Sequence, residues 1–100
     1  MLKENKYIDI KVGQKASISR KITEKDILDF ANIVGDFNPI HVDEKFAKKS
    51  IFKGNIAHGM LTASLISAVL GNKLPGPGYI YLKQELKFLK PVFPDDTITA

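Results

Sequence analysis

The chain has 100 residues, the size of one domain, and its 44% hydrophobic and 26% charged residues are the balance of an ordinary globular protein. With no cysteine and only two histidines, His41 and His58, it excludes disulfides, thiolate metal sites and a multi-histidine zinc centre, so no metal is expected. The net charge of +4 comes from fourteen lysines and one arginine scattered along the chain, without the arginine forks or aromatic-basic stripes that mark nucleic-acid binding.

The amino-terminal ten residues are polar and lack the apolar stretch of a signal peptide. Val12 to Lys21 reads as a short, weakly patterned strand after a turn at Gly13. The next boundary is sharper. Thr23 is placed to cap the amide of Asp26, Asp26 to reach back, and Ile22 and Ile27 flank the cap as a hydrophobic staple. Ile27, Phe30, Ala31 and Val34 then recur at the spacing of an amphipathic helix face. Pro39 disfavours helical geometry at Asn38, which ends this helix near Gly35.

Asp43 to Lys49 predicts one or two helical turns with Phe46 and Ala47 inward, broken by Gly54. Ile56 to Leu70 is apolar or small on every side, the pattern of a helix surrounded by protein, and Gly71 ends it. The polar residues in this window argue against a membrane span and for a cytoplasmic location. Pro75-Gly76-Pro77-Gly78 is a turn signal. Tyr79 to Lys90 alternates, with Ile80, Leu82, Gln84, Leu86 and Phe88 on one face, and predicts a half-buried strand. Thr97 to Ala100 begins another. A buried helix needs more sheet than these strands provide, so a single domain over 1–100 is expected to be incomplete at its carboxyl end.

Chemistry concentrates in Val34-Gly35-Asp36-Phe37-Asn38-Pro39-Ile40-His41, which sets a carboxylate and an imidazole five residues apart. Asn38 and Pro39 shape and stiffen the intervening loop. Held around one water, Asp36 and His41 supply the proton acceptor and donor that acid–base catalysis needs. Burial of Asp36 is expected, because desolvation strengthens a carboxylate as a base. Ala57-His58-Gly59-Met60 opens the apolar helix. The first amides of a helix lack intrahelical partners, and glycine admits close approach, so Gly59 suits a developing oxyanion. Ser67, eight residues on, either faces the same cavity or bonds back to its own helix. His58 reads as a structural residue bonded to backbone. Met60, Leu61, Leu65, Ile66 and Val69 are core or pocket lining, and Gln84 needs a partner.

Gly35-Asp36-x-Asn38-Pro39-Ile40-His41 followed by Ala47, together with Ala57-His58-Gly59-Met60-Leu61-Thr62-Ala63-Ser64 and Leu74-Pro75-Gly76-Pro77-Gly78, resembles the (R)-specific enoyl-CoA hydratases of the MaoC-like dehydratase family. The resemblance runs from about Ile22 to Ala100. It implies an α+β hot-dog fold, with a long central helix wrapped by a curved antiparallel sheet and paired as a homodimer. It implies hydration of trans-2-enoyl-CoA to (R)-3-hydroxyacyl-CoA. Asp36 and His41 would then be catalytic, with Gly59 and Ser67 binding the thioester substrate and no cofactor beyond the coenzyme A that the substrate carries. Val34 departs from the small residue usual at its position. Rival readings are a 3-hydroxyacyl-ACP dehydratase, a thioesterase, or a non-catalytic acyl-CoA-binding module. A basic patch at Lys48, Lys49 and Lys53 would suit the coenzyme phosphates.

Overall fold

The computed structural model describes residue 2 and residues 4–100. A 3-10 turn at Tyr7–Asp9 leads to strand β1, Ser19–Lys21, which is shorter than the pattern predicts. Gly13 turns the chain at φ 93°, and residues 12 to 17 find no ladder partner among the described residues. β1 pairs antiparallel with β2, Thr97–Thr99, in the register Ser19–Thr99, Arg20–Ile98 and Lys21–Thr97. Reciprocal 2.9 Å bonds between Ile18 and Ala100 extend the ladder at one end, and Ile22 closes the other by bonding Asp95 and Asp96.

Helix α1, Glu24–Val34, begins with the expected capping box. The Thr23 hydroxyl accepts from the Asp26 amide at 3.1 Å, and the Asp26 carboxylate accepts from the Thr23 amide at 2.9 Å. That amide bond, with the Thr23 hydroxyl and Arg20 at 2.8 Å, holds the Asp26 carboxyl below the usual range. Gly35 at φ 78° ends the helix in the left-handed conformation a glycine adopts freely. Ile22 and Ile27 are buried and form one core cluster with Ala57 and Leu65, against which Leu61, Val92, Ile98 and Ala100 pack. Along α1 the buried stripe stops at Ala31; Val34, the last member of the predicted face, is exposed.

Pro39–Val42 is a short helix, α2, where the sequence predicts a stiff loop. Proline at the first helical position lacks only an amide that would have no partner there, and Asn38 caps it by accepting from the Ile40 amide at 3.2 Å. α3, Glu44–Lys48, is capped by Asp43 and buries Ala47. Phe46 is exposed rather than inward, because adjacent helical positions diverge by ~100° and this one-turn helix has a single covered face.

α4, Gly59–Asn72, starts three residues after the predicted boundary and runs one past Gly71. Leu65 and Val69 are its buried residues, whereas Met60, Ser64 and Ser67 are exposed, so it is covered along one side instead of all round. The physical reason lies in the segment that follows. Tyr79 to Lys90, whose alternation predicts a half-buried strand, forms no ladder with any described residue, and residues 80 to 90 are all exposed, Ile80 and Leu82 by 82% and 94%. A strand needs a neighbour for its amides and carbonyls. Gln84 turns to the adjacent Glu85 carbonyl at 3.1 Å. The described residues thus make an α+β fold with one long helix and a partial antiparallel sheet; the predicted curved sheet around the helix is not formed by them. No described helix is long and apolar enough to cross a membrane.

Candidate active site

Three pieces of backbone bring the site together: the turn after α1, the one-turn helix α2, and the start of α4. Asp36 follows the left-handed Gly35, and its Oδ1 accepts the Asn38 amide at 3.1 Å, while its second oxygen has no partner among the described residues. Asp36 is exposed, contrary to the burial expected of it. His41 sits on α2, half-buried, with Nδ1 2.7 Å from the Ile56 carbonyl. A carbonyl only accepts, so Nδ1 carries the proton and Nε2 remains for chemistry.

His58 is 97% buried by a relative exposure of 3%, and its Nε2 donates to the Asp36 carbonyl at 3.0 Å. Its ring stacks on His41 at 3.9 Å and 29°, and meets Phe30 at 4.9 Å. The backbone bond matches the structural role read from the sequence. The stacking was not legible there, because it joins two histidines from different elements.

Asp36, His41 and Gly59 line one cavity of about 480 Å³, walled by Met60, Phe88 and Val92. α4 has no side-chain cap, and Gly59, its first residue, has no intrahelical acceptor for its amide. A Cβ at Gly59 would fall 2.8 Å from the Phe88 ring, so only glycine permits that approach. Ser67 is not part of this cavity. It lies two turns, ~12 Å, further along α4, and borders a second cavity of about 510 Å³ with Gln84, Met60 and Phe88. Asn38 and Pro39 shape the connection as expected, though as the cap and first residue of α2 rather than as loop.

Two residues escaped the sequence reading. Lys90 places a cation on the cavity wall, whereas Lys48, in the lysine cluster, pairs with Glu44 at 3.1 Å and does not line it. Asn55 donates to the carbonyls of Pro39, Ile40 and Asp43 at 3.4, 3.0 and 3.3 Å. Its partners are 12 to 16 residues away in the chain, and no local pattern signals them.

Among the described residues, Asp36, His41 and His58 offer ligand atoms within 4.8 Å of one another. A metal ion sits in the plane of each imidazole that binds it, ~2.0 Å from the nitrogen. Rings stacked at 3.9 Å and 29° keep their lone pairs in two separate, only slightly tilted planes, which does not favour a shared ion, so the set suits proton transfer better than metal binding.

Asp36, His41 and Gly59, from three separate pieces of backbone, thus share one cavity. Residues 7–100 match the model of the MaoC like domain, and the chain belongs to that family. It is 56% identical over 94 residues to an (R)-specific enoyl-CoA hydratase of Rhodospirillum rubrum, covering 94% of this chain and 65% of that relative. Among solved structures, an (R)-hydratase from A. caviae matches with a TM-score of 0.87 at 48% identity, over 90% of this chain and 68% of that one. An unliganded R-hydratase from Pseudomonas aeruginosa gives the same TM-score at 47% identity, over 93% of this chain and 60% of that one. The chain thus spans 60% to 68% of the length of these three relatives.

Proposed function

We propose that the chain carries the site of an (R)-specific enoyl-CoA hydratase, adding water to a trans-2-enoyl-CoA to form the (R)-3-hydroxyacyl-CoA. The observation that carries this reading is the convergence of Asp36, His41 and Gly59 on one cavity. The likeness to hydratases at 56% and 48% identity supports it.

In this mechanism the thioester carbonyl lies on the Gly59 amide, at the positive end of α4, which draws electrons from C3. One water is held between the Asp36 carboxylate and His41 Nε2. Asp36 accepts a proton from that water as its oxygen bonds to C3, and the electron pair of the C2–C3 double bond moves to form the enolate. That proton passes from Asp36 to His41 Nε2, which delivers it to C2 on the same face. His41 keeps its Nδ1 proton, hydrogen-bonded to the Ile56 carbonyl, throughout. Asp36 and His41 end as they began, and the sum is one water added. The lysine on the cavity wall, Lys90, suits the thioester's phosphates.

The same reading makes α4 the central helix of a hot-dog fold and pairs the chain with a second copy. The exposed apolar side chains Met60, Ile80, Leu82 and Phe88 support such cover. The test is to mix the protein with crotonyl-CoA, follow the enoyl absorbance and resolve the product on a chiral column. Loss of absorbance with (R)-3-hydroxybutyryl-CoA as product is expected. An (S) product overturns the stereochemistry, and conversion of only the acyl-carrier-protein thioester moves the activity to the dehydratases.

A further inference from the structure

A one-turn helix is a poor platform for a catalytic group. The last four carbonyls of any helix lack intrahelical partners, and in α2, Pro39–Val42, that is almost the whole element. The Asp43 amide reaches the Pro39 carbonyl at 2.9 Å, and nothing within α2 secures the rest. The support comes from Asn55. Its amide nitrogen lies 3.0 Å from the Ile40 carbonyl, 3.3 Å from Asp43 and 3.4 Å from Pro39, so its two protons serve the open end of α2. The next residue completes the grip: the Ile56 amide donates to the Ile40 carbonyl at 3.2 Å, and the Ile56 carbonyl receives His41 Nδ1–H at 2.7 Å. Asn55 and Ile56 thereby hold the backbone on both sides of His41 and its ring.

We propose that Asn55 is a positioning residue for His41, clamping α2 so that the ring keeps its proton on Nδ1 and presents Nε2 to the cavity. A ring whose second nitrogen is tied to a carbonyl has one tautomer and one orientation. Without Asn55, the Pro39, Ile40 and Asp43 carbonyls keep only the single backbone donors from Asp43, Ile56 and Ala47, α2 is held less firmly, the Ile56 bond lengthens, and both tautomers become populated. Catalysis suffers because displacement of a reacting group by ~1 Å costs up to ~100-fold.

The proposal rests on His41 being the acid–base group, and two readouts separate its failure from the failure of that reading. The first is independent of activity: nitrogen-15 NMR of the His41 ring reports which nitrogen is protonated. Wild type is expected to show the Nδ1–H form, and Asn55→Ala a mixture. The second is kinetic. Asn55→Ala should lower kcat on crotonyl-CoA about tenfold with KM within about twofold, whereas in a His41→Ala background it should change the rate by less than about twofold. Asn55→Ser, which keeps one donor, should recover at least a third of the lost kcat and serves as the variant if Asn55→Ala fails to fold. An unchanged His41 tautomer in the variants overturns the proposal, as does an equal kinetic loss with and without His41. A shifted tautomer in a protein that hydrates nothing would leave the clamp standing and remove the hydratase reading.

Discussion

Gly59→Ala separates what this residue does for the site from what it does for the fold. The new Cβ would lie 2.8, 2.9 and 3.1 Å from three atoms of the Phe88 ring. Ordinary carbon contacts begin at about 3.5 Å, so the ring must retreat by about 0.7 Å. It is free to do so: Phe88 is 59% exposed and its segment has no ladder partner among the described residues. Alanine also favours a helix over glycine by up to about 1 kcal/mol. The two effects nearly offset, and the unfolding free energy should change by less than about 1 kcal/mol. Activity responds differently, because the methyl group enters the wall of a 480 Å³ cavity beside the amide proposed to polarise the thioester. A fall in kcat/KM of at least about tenfold, ~1.4 kcal/mol of transition-state stabilisation, is expected. Urea unfolding and crotonyl-CoA hydration measure the two quantities on the same preparation. Phe88→Ala in the same chain removes the clash, so the double variant should lose less activity than the two single losses combined. Gly59→Ala with wild-type kcat/KM, or a double variant whose losses simply add, would refute the reasoning.

Ile22→Ala empties a position that is 1% exposed between the ladder, α1 and α4, and should cost about 2–5 kcal/mol in urea unfolding. Thr23→Ala removes the cap of α1 and should cost about 1 kcal/mol, read as a lowered Tm. The Asp26 carboxyl, held below its ordinary 3.8 chiefly by the Thr23 amide, contributes stability that is complete above about pH 5 and fades as pH falls through 3.8 and below. Asp26→Asn should therefore flatten the pH dependence of Tm in that acid range, and an unchanged slope would contradict the assignment. Ser67→Ala, in the second cavity, should change crotonyl-CoA turnover by less than about threefold; a longer acyl chain that enters this cavity would show the larger effect.

The features legible in the sequence are those whose partners are near in the chain. Thr23 and Asp26 bond across three residues, and the staple of Ile22 on Ile27 spans five, so the start of α1 could be read from the residues themselves. Asp36 and His41 are likewise linked by a short connection, whose proline and asparagine signalled rigidity although not the helical turn they form. Where the outcome depends on cover from elsewhere, pattern was insufficient. The apolar surround of α4 and the alternation of Tyr79 to Lys90 each describe a surface that wants a neighbour, and neither says whether the described chain supplies it. For the same reason Val34 is exposed despite its place on an apolar face. At the site, the His41–His58 stack and the Asn55 bonds join residues 12 to 17 positions apart through space, and single-sequence spacing carries no trace of them.

The most direct test of Asp36 as the base is the rate of crotonyl-CoA hydration by wild type and by Asp36→Asn, compared at equal folded concentration. The amide keeps the shape of the side chain and an oxygen for the Asn38 amide, and removes the proton acceptor. Measurable hydration by wild type and a fall of about a hundredfold or more in the variant is the expected result. Hydration by Asp36→Asn at the wild-type rate, or no hydration by a folded wild type, would contradict it.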